Sequence, residues 1–249
     1  MRLLLLSNST NFGEKYLDHA MADIRGFLGP VKRLTFVPFA LADHEGYTAK
    51  ARERFAREGI EVTALVADRG RADTLDSAEA IFIGGGNTFR LLRALQTTGH
   101  LEAIRARVEA GMPYMGASAG TNVAAPTIRT TNDMPIVQPA SFDALGLVPF
   151  QINPHFIDAD AATRHMGETR EERLREYLEE NERPVVGLRE GAWLRREGSS
   201  LRLEGRNGAR LFRPGAAPEE LSPGTSLDGL LSFSTAGRNC AGRTSEPSP

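Results

Sequence analysis

The 249-residue chain has one cysteine, Cys240, one tryptophan and no long apolar run. A single thiol excludes an internal disulfide and a cysteine-based zinc cluster, and it fits a reducing compartment. The run Leu3-Leu4-Leu5-Leu6 turns polar at Ser7, which is too short for a signal-peptide core or a spanning helix. An excess of either charge is also missing. Thirty Lys and Arg against 32 Asp and Glu leave a formal charge of −2 and a pI near 6.2, so no basic field favours nucleic acid or an acidic membrane. No H-E-x-x-H or comparable ligand set supports a metal mechanism. The glycine-rich turns match neither G-x-G-x-x-G nor G-K-[ST], which leaves dinucleotide and P-loop readings weak. The expectation is a cytoplasmic protein with no metal, no cofactor and no nucleic-acid or membrane partner. Its oligomeric state is left open.

The composition that is present, 25% charged and 41% hydrophobic, is that of an ordinary soluble globular chain. Arg2 to Leu6, Leu34 to Val37, Ile60 to Val66 and Ile81 to Ile83 read as strands. Tyr16 to Leu28, His44 to Glu58, Phe89 to Leu95 and Leu101 to Ala110 carry helical spacing, and a short polar, helical piece runs up to Ala80. This alternation predicts an α/β fold with a doubly wound, mostly parallel sheet, whose active site lies beyond the carboxyl ends of the strands. The rhythm weakens after Pro126. Thr127 to Val137 reads as loop or irregular strand, Gln151 to Phe156 and Pro184 to Leu188 as strands, and Glu168 to Glu180 as a helix capped near Thr169. Ala192 to Arg195, Leu201 to Glu204 and Ala209 to Phe212 resemble a short antiparallel C-terminal addition. The expected organisation is one domain over 1–213 and a Pro, Gly and Ser-rich tail over 214–249. That tail is expected to be partly disordered, with Leu227 to Phe233 docking.

Gly116-Ala117-Ser118-Ala119-Gly120, between a short apolar run and a small-residue segment, has the form of a nucleophile elbow. Its glycines relieve crowding at a sharp strand-to-helix turn that lifts the serine hydroxyl above the sheet. The same five residues also suit a tight structural turn. A serine nucleophile needs a base, and the base needs an orienting acid. Of five histidines, His19 and His44 fall in surface helical patterns and His100 and His165 in polar connections, all consistent with solvated side chains. His155 follows Asn153-Pro154 at a strand end and is the candidate base. Asp133 and Glu190 are the candidate acids, and both also suit ordinary surface roles. The Gly84-Gly85-Gly86 turn follows a strand. It serves either close helix packing or an oxyanion, with the Gly86 amide paired to that of Ala119.

Taken together, LLLLSNST (3–10), GGGNTF (84–89), GASAG (116–120), PTIRTTNDMPIV (126–137), QINPHF (151–156) and GETR (167–170) closely resemble the peptidase E family of α-aspartyl dipeptidases, serine peptidase family S51. The resemblance runs from Met1 to about Phe212. It implies a fold similar to class I glutamine amidotransferases and a serine dipeptidase acting on Asp-Xaa dipeptides through an acyl-enzyme. Ser118 would be the nucleophile, His155 the base, Asp133 or Glu190 the acid, and Gly86 and Ala119 the oxyanion donors. Arg170, with Asn87, would bind substrate, the guanidinium fork accepting the aspartyl carboxylate through two charged hydrogen bonds. Two rivals are a related cyanophycinase-like β-aspartyl peptidase and a non-catalytic binding protein that keeps the elbow for packing.

Overall fold

Four consecutive leucines explain the architecture. Leu3, Leu4, Leu5 and Leu6 are all fully buried in β1 (Arg2–Leu6). Side chains alternate across a strand, so Leu3 and Leu5 enter one core while Leu4 and Leu6 enter another. Burial of each is worth roughly 2 kcal/mol, and only a strand covered on both faces collects it twice over. The cover comes from helices on opposite faces. On one side are α1 (Met21–Leu28) and α2 (His44–Ala56), through residues such as Phe27 and Phe55. On the other, beyond α3 (Asp73–Asp76), are α4 (Thr88–Thr98) and α5 (His100–Glu109), through Leu91, Leu95 and Ile104. This computed structural model describes residues 1–67, 73–159 and 167–233.

The main sheet adds β2 (Arg33–Val37), β3 (Glu61–Ala64), β4 (Ala80–Ile83) and β5 (Tyr114–Ala117) parallel to β1. The hairpin β8 (Ala192–Glu197) and β9 (Ser200–Gly205) extends it antiparallel, giving the order β3-β2-β4-β5-β1-β8-β9. A single-turn α6 (Ala119–Asn122) follows β5. A second sheet is built from β6 (Gln151–Phe156), β7 (Val185–Arg189), β10 (Ala209–Phe212) and β11 (Glu219–Leu221) in the order β11-β10-β7-β6, with only β6 and β7 parallel. Its residues Ile152, Val186, Leu188 and Leu211 join the core on the α4 and α5 face.

The doubly wound sheet agrees with the sequence reading; the separate second sheet was not anticipated. α1 begins later than expected because Leu17, at φ 61°, turns the chain into a 3-10 turn over Asp18–Ala20. α7 (Arg170–Glu180) starts from Thr169, whose hydroxyl accepts from Glu172 N–H while Glu172 accepts from Thr169 N–H, a reciprocal capping box. Packing continues past Phe212. β11 pairs with β10, and Leu221, Leu227 and, in α8 (Asp228–Leu231), Leu230 are buried. Of the tail over 214–249, expected to be partly disordered, residues from 234 onward lie outside the described ones.

Candidate active site

β1, β4 and β5 end side by side, and the turns leaving β4 and β5 meet. Ser118, directly after β5, has φ 52° and ψ −109°, a conformation that costs a non-glycine residue about 1–3 kcal/mol. Its neighbours hold it there. A Cβ on Gly116 would collide with the Gly120 carbonyl, and one on Gly120 with the Ile83 carbonyl. Ser118 N–H donates to Leu6 O at 3.1 Å, and Thr121 Oγ1 donates to the carbonyls of Leu6 and Gly116. The Gly84-Gly85-Gly86 turn lies against it. A Cβ at Gly85 would sit 3.0 Å from Ser118 Cβ, Gly84 admits the Tyr47 ring, and Gly86 takes φ 133° beside Ala40 O. Among the described residues, the amides of Gly86 and Ala119 have no protein acceptor.

His155 Nε2 lies 2.9 Å from Ser118 Oγ, and Nδ1 lies 2.6 Å from Glu190 Oε1. A carboxylate only accepts, so Nδ1 carries the proton and Nε2 is free to accept from the serine. Asp133, the other candidate acid, is elsewhere on the pocket wall. Its Oδ2 accepts from Thr88 N–H at 2.7 Å, Thr88 Oγ1 at 2.6 Å and Thr131 Oγ1 at 3.2 Å, with no bond to His155. The acid in contact with the imidazole is therefore Glu190.

These groups line a pocket of about 330 Å³ together with Asn122, Thr131, Asn132 and Ile157. Arg170 also lines it, half-buried and, among the described residues, without a hydrogen-bond or ion-pair partner. Burial, and secondarily the charge of Arg173, pull its pKa below the usual guanidinium value; Asp133 partly offsets them. A cation in the first turn also opposes the α7 dipole. Asn87, expected at the substrate, is instead the cap of α4. Its Oδ1 accepts from Arg90 N–H and its Nδ2 donates to Met134 O, and its neighbour Thr88 lines the pocket. The pocket threonines and asparagines were missed in the sequence, although Thr88 adjoins a capping asparagine and Thr131-Asn132 lies inside a motif already singled out.

Two other histidines are not solvated as expected. His19 is nearly buried against Trp193, its ring nitrogens have no hydrogen bond among the described residues, and burial lowers its pKa. His100 is buried with Nδ1 2.7 Å from Thr98 Oγ1 and is likewise pushed down by burial. His165 lies outside the described residues. Among those residues, no cluster of His, Cys, Asp and Glu could hold a metal, and no helix is long and apolar enough to cross a membrane.

A serine on a strained turn, bonded to an imidazole that is bonded in turn to a carboxylate, defines a serine hydrolase. The family model described as Peptidase family S51 matches residues 3–204, and the chain belongs to that family of serine peptidases. It is 59% identical over 231 residues to a protein of Streptomyces coelicolor named Peptidase E, spanning 93% of this chain and 95% of that one. A probable alpha-aspartyl dipeptidase of Drosophila melanogaster is 48% identical over 232 residues, 92% of this chain and 97% of that one. The crystal structure of a putative peptidase E protein from Listeria monocytogenes shares the fold, with a TM-score of 0.65 and 23% identity over 83% of this chain and 98% of that one.

Proposed function

We propose that the chain is a cytoplasmic dipeptidase that removes an N-terminal aspartate from Asp-Xaa dipeptides through an acyl-enzyme. The observation that carries this reading is Arg170, a partly desolvated guanidinium that lines the pocket holding Ser118 and has no protein partner among the described residues. Such a group is stabilised by a carboxylate, and its fork accepts one through two parallel charged hydrogen bonds. The β-carboxylate of the substrate supplies it. Among the described residues Asp133 Oδ1 has no protein donor, and it is offered to the substrate's α-ammonium. A cation and an anion on one wall complement the two charges of an N-terminal aspartyl residue.

In the reaction, Ser118 Oγ attacks the carbonyl carbon while His155 Nε2 takes its proton. Glu190 keeps the imidazole in the required tautomer and stabilises the imidazolium. The amides of Gly86 and Ala119 receive the developing oxyanion, each donor worth about 3 kcal/mol at the transition state. His155 then protonates the leaving amine. Water attacks the acyl-enzyme with His155 again as base, and aspartate departs.

The test compares Asp-Leu, Asn-Leu and the β-linked isomer of Asp-Leu. Wild type is expected to prefer the α-linked aspartyl substrate. Arg170→Met should lower kcat/KM on it about 10–100-fold, the value of one charged hydrogen-bonded contact. Equal turnover of Asn-Leu, or faster cleavage of the β-linkage, would remove the assigned specificity while leaving the hydrolase.

A further inference from the structure

His155 is held in an unusual way. It is a non-glycine residue at φ 53°, and it sits where the β6–β7 register shifts: Pro154 pairs with Leu188 and Phe156 with Arg189, leaving His155 between them. A bulge of this kind re-aims a side chain and leaves the backbone N–H of the extra residue without a ladder partner. Here that N–H donates to Ser7 Oγ at 2.9 Å. The same hydroxyl donates to Leu188 O at 2.7 Å, on the strand facing the bulge. Ser7 is fully buried and follows β1 directly, where its own N–H donates to Ala192 O. One hydroxyl from the end of the main sheet thus fastens both strands of the second sheet at the point where the imidazole leaves the backbone. The acid is fixed separately: Gly191 N–H donates to Asn8 Oδ1, and Asn207 Nδ2 donates to Glu190 O.

We propose that Ser7 is a positioning residue for the base, its hydroxyl holding the bulged, left-handed peptide of His155 in the orientation that lets Nε2 reach Ser118. The inference rests on the reading of His155 as the general base. Without the Ser7 hydroxyl, the partly buried His155 N–H and the buried Leu188 carbonyl lose their shared partner, and the peptide can relax toward ordinary strand geometry. The imidazole then swings away from Ser118, while Arg170 and Asp133, on other elements, stay in place. The defect should therefore appear in the chemical step rather than in binding.

Ser7→Ala is compared with wild type by steady-state hydrolysis of Asp-Leu and by the rate at which a fluorophosphonate labels Ser118, with thermal melts confirming that both are folded. The label requires the serine and its base but not the aspartyl contacts. The expected result is a fall in kcat and in labelling rate of about 10–100-fold, as for other small displacements of a catalytic group, with KM within about twofold of wild type. Should Ser7→Ala fail to fold, Ser7→Cys takes its place, since a thiol has similar size but is a weaker partner, and it should also label more slowly. A folded variant that labels and turns over at the wild-type rate overturns the positioning role. Labelling of wild-type Ser118 without hydrolysis of Asp-Leu would remove the substrate assignment but leave Ser7 testable by labelling. Failure of wild type to label at all would remove the base and Ser7 together.

Discussion

The two side chains proposed to react are carried by two very different pieces of strained backbone. Ser118 and His155 are both non-glycine residues at positive φ, at 52° and 53°. At Ser118 the strain is accommodated locally, by Gly116 and Gly120 within two residues on either side, which let the turn fold tightly against Ile83. At His155 no neighbour is a glycine, and the peptide N–H is taken by Ser7, 148 residues away in the chain. The proposed nucleophile is thus positioned by the absence of side chains, and the proposed base has its peptide held by the presence of one. The first device is rigid and sensitive to added volume; the second is sensitive to loss of a hydrogen bond.

The largest effect is expected where the elbow is filled. In Gly120→Ala the new methyl meets the Ile83 carbonyl, which belongs to the fully buried strand β4 and cannot retreat. Overpacking of this kind typically costs about 1–3 kcal/mol and sometimes more. Because the displaced atoms carry Ser118 and the Ala119 amide, hydrolysis should fall by roughly 10³-fold or more, the combined effect of a displaced nucleophile and a lost oxyanion donor. Thermal melts and turnover of Asp-Leu check both. A variant with normal activity would mean that the elbow is more pliable than its contacts imply.

That contrast also explains how much could be read in advance. The elbow is encoded by adjacent residues, so GASAG was legible, as was the alternation that builds the parallel sheet. The candidate base was picked out because Asn153-Pro154-His155 ends a strand. Its acid was not, because Asp133 and Glu190 both occupy loops, and the choice depends on pairing. Thr88 and Thr131 take up Asp133, while the β7–β8 turn brings Glu190 to the imidazole. The capping role of Asn87 was not legible either: the side chain that was grouped with the substrate-binding residues accepts from Arg90 N–H at the start of α4. The second sheet escaped because its strands are four to six residues long apart from the three-residue β11, and their order depends on contacts distant in sequence. Ser7 reads as the polar end of a strand, and nothing nearby reveals its partner.

A middle-sized effect separates the two carboxylates. Glu190→Gln keeps the shape but presents an amide to Nδ1, so kcat should fall by about 10²–10³-fold. That is less than the roughly 10⁴-fold seen when a buried triad aspartate becomes an amide, because Glu190 is about half exposed and water can partly replace it. Asp133→Asn should leave kcat within a few-fold and raise KM, since the change touches the proposed ammonium contact and not the imidazole. If instead Asp133→Asn loses kcat and Glu190→Gln does not, the contact between Glu190 and His155 is not the one used in turnover.

The smallest effect lies just outside the bulge. Arg189, beside Glu190, donates from Nε and Nη2 to Asp158 at 2.6 and 2.9 Å and also binds Glu220 of β11, so it ties the segment after His155 to the edge of the second sheet. Hydrogen bonding to Arg189 is the main cause that holds both carboxyls below their ordinary values of 3.8 and 4.5, against an opposing contribution from burial. A carboxyl whose folded pKa is depressed adds stability that is fully present above its unfolded pKa and disappears as pH falls through the folded one. The contribution of this cluster should therefore be complete above about pH 5 and fade below pH 4. Asp158 and Glu220 are each about half exposed, and solvent screening limits such pairs to about 1 kcal/mol or less. Arg189→Met should accordingly melt about 2–4 °C below wild type at pH 6, and the gap should narrow as the pH is lowered toward 3. A gap that persists unchanged in acid would show that Arg189 supports the edge of the bulge through the packing of its stem and not through its charge.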